Sequence, residues 1–240
     1  MKQIMMDVAD AASHLALDEA MLLAADAGQV ASETIRLWQF DHHVVVLGRS
    51  SKVDAEVNRD FCDRERVPVM RRCSGGAAVV GGPGCLMYSV ILSQREKPEL
   101  QKVDAAHRFV MDRVVAAIRC QVPEVQHQGI CDVTFQNRKC SGNSLRITRE
   151  HLLYHGTILY DADLAVLANC LSEAPRQPEY RRRRDHHDFV TNIPVRVNQL
   201  KEDLLNAFGA DGDLKTGLPV QQVAKLKTTK YANPAWNLRH

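Results

Sequence analysis

The chain has 240 residues, 45% apolar and 25% charged, a balance that leaves room for a sizeable core and excludes a disordered or fibrous protein. Its formal net charge of +2 gives no bulk attraction to nucleic acid or membrane, so any basic site has to be local. Seven cysteines at scattered positions lack C-x-x-C spacing, and a chain of this size needs no disulfide framework, which fits reduced thiols in a cytoplasmic enzyme.

Residues Met1 to Asp10 contain no apolar signal region, and nothing approaches the length of a membrane span. The first predicted helix runs from Ser13 to Ala25. Leu15, Ala16, Leu22 and Leu23 fall on neighbouring turns, Asp18 and Glu19 point elsewhere, and Gly28 stops it. Periodicity alone makes this a core helix. Strands follow at Thr34 to Gln39 and Val44 to Gly48, the second a continuous apolar run of the buried kind. The intervening His42-His43 pair has no neighbouring ligand set for zinc. Asp54 to Arg66 reads as a charged surface helix.

Val69 to Val80 carries Arg71-Arg72-Cys73-Ser74-Gly75-Gly76-Ala77 between two strand-like runs. Consecutive glycines let backbone N–H groups converge on an anion, and two arginines beside them supply charge and paired donors. A plain β-hairpin explains the same glycines. Gly81-Gly82-Pro83-Gly84 is a turn, and Cys85 to Leu92 a strand. No Gly-Lys-Ser/Thr follows the glycines and no Gly-x-Gly-x-x-Gly is present, so neither a Walker A loop nor a dinucleotide fingerprint applies.

Glu96 to Lys102 is a charged linker, and Val103 to Cys120 an amphipathic helix with Val110, Val114, Ala117 and Ile118 on one stripe. Pro123 to Gly129 reads as loop and Cys131 to Phe135 as a short strand. After a turn at Gln136-Asn137-Arg138, Lys139 opens a strand reaching about Thr148. His151 to Tyr160 is a strand and Asp163 to Cys170 a helix. The basic segment Pro178 to Asp188 contains Arg181, Arg182, Arg183 and Arg184. It is either a solvated patch or a flap over a polyanion. Val197 to Phe208 is a helix with Asn198 as its N-cap, followed by Leu218 to Leu226 and Tyr231 to Trp236.

Three segments stand in one order: Arg71-Arg72-Cys73-Ser74-Gly75-Gly76-Ala77, Arg138-Lys139-Cys140-Ser141-Gly142 and His155-Gly156-Thr157. Together they resemble the lipoate-protein ligase A family of the biotin/lipoate A/B protein ligase superfamily, from about Leu15 to Asp163 and more weakly to Asn192. The resemblance implies an α+β fold over residues 1–240: one catalytic domain like those of class II synthetases and biotin-protein ligases, with a mixed, mostly antiparallel sheet flanked by helices. It implies that lipoate and ATP, with Mg²⁺, give lipoyl-AMP, and that the acyl group then passes to a lysine of a lipoyl-domain acceptor protein (E2 or glycine-cleavage-H-like).

On this likeness Lys139 is the catalytic residue, a compact ammonium bridging the acid's carboxylate and the α-phosphate. Arg72, Ser74, Gly75, Gly76, Ala77, Val79, Asp132, Ser141, Gly142, His155, Gly156 and Thr157 are expected to bind substrate and ATP, with Asp132 facing nucleotide or metal. Leu17, Val44, Gly48 and Arg49 are expected at the acyl pocket, and Arg181 to Arg184 in a flap over the adenylate. The family's third glycine is Ala77 here, its asparagine on the first helix is His14, and Gly81-Gly82-Pro83-Gly84-Cys85 replaces its His-Asp-x-Gly-Asn turn. The chain ends soon after Trp236, leaving no room for the accessory C-terminal domain of long ligases, which is then a separate subunit or dispensable.

Two rival readings stand beside ligation. A cysteine-dependent octanoyl or lipoyl transferase of the same superfamily would use a thiolate and no ATP. Its cysteine position matches Glu124, and Cys131 is the thiol nearest Lys139 in sequence. A non-catalytic nucleic-acid binder would rest on Arg181 to Arg184, without interleaved aromatics.

Overall fold

A helix with almost no polar face lies at the centre of the molecule. In this computed structural model, which describes residues 1–6, 8, 10–173, 177–214 and 217–240, α1 spans Ala11–Asp26 and is capped by Asp10, whose side chain accepts from the Ser13 N–H. A helix apolar around most of its circumference has to be enclosed. Asp18 and Glu19, expected to point away, are buried with it. Each has a partner: Arg36 Nη1 donates to Asp18 over 3.2 Å, and Lys230, Arg146 and the Tyr231 hydroxyl donate to Glu19.

Seven strands form the larger sheet: β1 (Lys2–Gln3), β2 (Thr34–Trp38), β6 (Cys85–Ser93), β7 (Gln126–Gln128), β8 (Asp132–Phe135), β9 (Arg138–Ile147) and β10 (His151–Leu159). Their order is β1-β2-β6-β10-β9-β8-β7, antiparallel except for β1 beside β2. The β8–β9 connection turns through Gln136 and Asn137, both at positive φ (51° and 57°), which matches the twist of a two-residue hairpin. A second sheet holds β3 (Val44–Leu47), β4 (Val69–Arg71) and β5 (Val79–Gly81). Here β3 is central, parallel to β4 and antiparallel to β5. The strands flanking the double-arginine motif therefore do not form a hairpin with each other; both pair with β3.

Between the two sheets, α1 belongs to one apolar cluster with β3, β4 and β5. The opposite face of the large sheet is covered by α4 (Val103–Arg119) and α7 (Val197–Ala207), in a second cluster. This is an α+β fold with a mostly antiparallel sheet flanked by helices, as the sequence implied. Among the described residues, no helix is long and apolar enough to cross a membrane.

Four local expectations need correction. Asp54 to Arg66 is not one helix: α2 (Val53–Glu56) and α3 (Arg59–Arg64) are separated where Val57 extends to bridge Leu171 and Asn58 caps α3. The Pro123–Gly129 loop contains β7. In α7 the N-cap is Arg196, so Asn198 lies inside the helix without a capping bond. The basic segment is partly structured: a 3₁₀ turn at Glu179–Arg181 precedes α6 (His186–Phe189), while α5 (Leu164–Cys170) leads into it. Near the end, α8 (Val220–Leu226) runs directly into a π turn at Lys227–Tyr231, and α9 (Pro234–Asn237) follows.

Candidate active site

In the loop after β4 the four carbonyls from Ser74 to Ala77 are all held, while three of the amides stay open. Ser74 O accepts from the Arg49 N–H at 2.7 Å, Gly75 O from Ser144 Oγ at 2.8 Å and Arg72 Nε at 3.1 Å. Gly76 O accepts from Ser51 Oγ at 3.2 Å and Ala77 O from Arg72 Nη2 at 3.0 Å. Among the described residues, the N–H groups of Gly75, Gly76 and Ala77 meet no acceptor. Exposed N–H groups on consecutive residues, with their carbonyls turned away, make an anion cradle. Arg72 is buried, and burial lowers it to about 10, so it remains a cation. Its nitrogens are engaged by Val46 O, Ser74 Oγ, Gly75 O and Ala77 O. Its part in the cleft is to orient the loop and supply fixed charge behind it.

Lys139 faces this loop from β9. The register between β8 and β9 slips at this point: Val133 pairs with Ser141 and Thr134 with Lys139, leaving Cys140 as the extra residue. A bulge re-aims side chains locally. Cys140 goes into the core, and the Lys139 ammonium reaches Asp132 Oδ1 at 2.6 Å in the cleft. The Tyr180 hydroxyl donates to the other oxygen of Asp132 at 2.7 Å. Lys139 crosses Gly142, where a β-carbon would stand 2.9 Å from both Cε and Nζ.

Three open cavities meet at Lys139. One of about 600 Å³ has an apolar end formed by Leu15, Trp38, Val46, Val79 and Met87, and a polar end at Arg72, Lys139 and His155. A second, of about 700 Å³, is walled by Leu159, Leu167, Phe189 and Val190, with Arg181 and His186 facing in. A wider cleft of about 1420 Å³ runs past Gly76, Cys131, Asp132, Glu179 and Tyr180.

The expected residues divide accordingly. Arg72, Gly76, Ala77, Val79, Lys139, Gly142, His155, Gly156 and Thr157 line the first cavity, Ser141 the second and Asp132 the outer cleft. Ser74 is buried within the loop, bonded to His155, and neither it nor Gly75 borders any of the three cavities. Leu17 and Val44 are fully buried in the core and border no cavity; Leu15 and Val46, two residues away on the same elements, do. Gly48 underlies the loop, with Gly76 O 1.8 Å from where its β-carbon would be, and Arg49 is exposed.

The four arginines are not one patch. Arg181 is buried against the Phe189 ring (4.8 Å), its Nε donating to Arg184 O, while its Nη2 finds no acceptor among the described residues. Arg184 folds back onto Arg181 O and Tyr180 O, and Arg182 and Arg183 are exposed at positive φ. His42 and His43 belong to no metal-binding cluster among the described residues.

Trp38, Met87, Tyr88, Asn143 and Tyr180 were absent from the expected site. Asn143 connects Cys131 O (2.7 Å), Ser141 Oγ (3.1 Å) and the Tyr88 hydroxyl. Its place just beyond Arg138-Lys139-Cys140-Ser141-Gly142 was the available signal. For Met87 and Tyr88 there was none, because β6 is buried along its whole length and its residues show no alternation that marks a cavity face.

The profile of the lipoyl protein ligase A/B catalytic domain matches residues 10–209. Lipoate–protein ligase 1 of Staphylococcus aureus is 24% identical over 96% of this chain and 71% of its own length. Octanoyltransferase LipM of Oceanobacillus iheyensis is 24% identical over 83% of the chain and 79% of its own. The chain spans 45% and 40% of two probable lipoate-protein ligases A, of Mycoplasma pneumoniae and Mycoplasma genitalium. A bi-partite lipoate protein ligase of Thermoplasma acidophilum, described with its E2 lipoyl domain, superposes with a TM-score of 0.81 at 20% identity over 99% of this chain and 95% of that one. A structure from the same organism with bound lipoic acid gives 0.81 at 20% identity, over 99% and 98%. A lipoate-protein ligase A bound with ATP gives 0.79 at 20% identity, also over 99% and 98%. At such identities the structural likeness carries the fold.

Proposed function

The chain belongs to the family of lipoyl protein ligase A/B catalytic domains, and from that premise we propose that it is an ATP-dependent lipoate-protein ligase. It activates lipoate as lipoyl-AMP and passes the acyl group to a lysine of a lipoyl-domain acceptor. A carboxylate does not acylate an amine unaided, so it first attacks the α-phosphorus and displaces pyrophosphate. The enzyme's task is to bring two anions together and stabilise charge on the phosphoryl oxygens.

The observation that carries this reading is the Lys139 side chain lining one cavity with Gly76 and Ala77, whose N–H groups, like that of the adjoining Gly75, meet no acceptor among the described residues. The carboxylate of the acid sits between them, its chain in the apolar end of the first cavity. The nucleotide lies toward the second cavity and outer cleft, where Arg181 Nη2 is a buried donor without a partner among the described residues. Asp132 and Glu179 line that cleft, and one or two carboxylates with substrate phosphates suit Mg²⁺. When bound there, it would neutralise phosphate charge.

Cysteine-dependent transfer is favoured less, for a specific reason. The Cys131 thiol donates to Asn143 O at 3.0 Å, and burial, helped by Asp132, pushes it up to about 11. A thiol held in that state is a poor nucleophile. The test is lipoate-dependent ATP–pyrophosphate exchange. Lys139→Ala should lose about two to three orders of magnitude, the effect of removing one preorganised donor. Cys131→Ser should retain activity within a few-fold. Exchange without lipoate, an active Lys139→Ala, or an inactive but folded Cys131→Ser would each overturn the reading.

A further inference from the structure

Beneath the open loop lies a chain of hydrogen bonds that no substrate contact explains. Ser74 Oγ is 2.5 Å from His155 Nε2, and His155 Nδ1 is 3.2 Å from Asp18 Oδ2. Asp18 Oδ2 also accepts from Ser89 Oγ at 2.7 Å, and Oδ1 from Arg36 Nη1 at 3.2 Å. At the other end Arg72 Nε donates to Ser74 Oγ at 3.1 Å. The residues come from α1, β2, β6, β10 and the loop, so the chain ties the catalytic turn to the molecular centre.

Burial pushes the Asp18 carboxyl up, but its bond to His155 and the charge of Arg36 outweigh that and hold it below its ordinary value. An ionised carboxylate only accepts, so in the neutral His155 ring Nδ1 carries the proton and Nε2 presents a lone pair. The Ser74 hydroxyl then donates to Nε2 and keeps its own lone pairs for Arg72. Asp18 Oδ2 accepts twice, from His155 Nδ1 and from Ser89 Oγ, and from Ser74 through His155 to Asp18 the donation runs in one direction. The constellation has the composition of a hydrolytic triad, but Ser74 is only 1% exposed and borders none of the three cavities. An attacking oxygen would have to reach one of them.

We propose that Asp18, His155 and Ser74 form a positioning relay, in which Asp18 sets the His155 tautomer and His155 sets the Ser74 hydroxyl, so that the adjoining Gly75, Gly76 and Ala77 amides stay aimed at the acid's carboxylate. Ser74 and His155 are single points on the loop and on β10, whereas Asp18 lies in α1; the helix, which touches the first cavity only at its apolar end through Leu15, thereby also controls the affinity of the polar end. This rests on the ligase reading for the identity of the acid, and not for the relay itself.

The tautomer is read directly in the unsubstituted protein by long-range ¹H–¹⁵N correlation of its histidine rings. In the neutral ring of the free enzyme the His155 proton should sit on Nδ1; a neutral ring with its proton on Nε2 overturns the relay. Ser74→Ala should raise KM for lipoate about 3- to 10-fold, the effect of one neutral hydrogen bond, leaving KM for ATP unchanged. Asp18→Asn should move the proton to Nε2 and raise KM for lipoate about 10- to 100-fold, as for a bond to a charged group. Equal rises in both KM values, or a fall in kcat alone, would mean that these residues only support the fold and would overturn the proposal. In either variant the amide signals of Gly75, Gly76 and Ala77 should shift; unchanged signals also overturn it. If the unsubstituted protein shows no lipoate-dependent exchange but has the Nδ1 tautomer and shifted amides in Ser74→Ala, the relay stands and the substrate assignment falls.

Discussion

Lys139 lies across Gly142 so closely that the missing side chain is part of the site. A β-carbon there would stand 2.9 Å from Cε and Nζ, closer than van der Waals contact allows. The flexible end of the lysine would yield rather than the strand, moving the ammonium away from Asp132 and the cleft. Gly142→Ala should therefore fold normally yet lower the adenylation rate about 10- to 100-fold, since displacements of about 1 Å cost that much where geometry is preorganised. Pyrophosphate exchange together with thermal melting separates the two effects, and wild-type exchange would refute the crowding argument. Lys139 and Gly142 were both legible in the sequence, as neighbours in Arg138-Lys139-Cys140-Ser141-Gly142. Their contact was not, because it depends on the bulge at Cys140, and nothing in the order of residues announces a slipped register.

Among the elements, the double-arginine motif divides its labour in a way its letters conceal. Arg71 and Arg72 look equivalent as anion donors, but Arg71 ends β4 and Arg72 opens the loop, and their side chains go to opposite sides. Arg72 turns to the loop. Arg71, with no measurable exposure, donates to Gly48 O and Ser51 O at 2.8 and 2.7 Å. It also donates to Trp236 O, Asn237 O and Arg239 O, with the Trp236 indole donating back to Arg71 O at 2.8 Å. One guanidinium thus fastens the 48–51 turn, which itself supports Gly76, to the segment around α9. Lysine has the charge but not the planar fork, and would leave several buried carbonyls unpaired. Arg71→Lys should cost about 3–5 kcal/mol and lower Tm by roughly 10 °C. An unchanged Tm would mean that water replaces the lost donors. The elements themselves were largely readable: α1, β6, α4, β9 and β10 have the periodicities and turn residues that define them. The α2–α3 break was not, because it follows from Val57 pairing with Leu171, a contact distant in sequence.

Across the whole molecule, buried charge makes stability depend on pH with a predictable sign. Burial, reinforced by Arg36, holds His14 down at about 4; Arg36 Nη2 donates to its Nδ1, which must then be unprotonated. Burial and Arg181 hold His186 at about 4 as well. In the unfolded chain both rings take up a proton near 6.5. Between there and pH 4 the unfolded state binds more protons, so stability falls as the pH drops. Below that range Asp18 and Glu19 act in the same direction. Burial raises both, but hydrogen bonds to His155 for Asp18 and to Lys230 and Tyr231 for Glu19 hold them below their ordinary values. Their contribution is lost as they protonate. For His14, discounting its partial exposure, the effect is about 1–2 kcal/mol, or about 2–8 °C in Tm. Calorimetry from pH 7.5 to 4 should give a steadily falling Tm in the unsubstituted protein and a flatter curve for His14→Asn, which removes the ring and leaves Asp18 and Arg36 paired. Parallel curves would show that His14 titrates alike folded and unfolded, and that Arg36 is anchored by Asp18 alone.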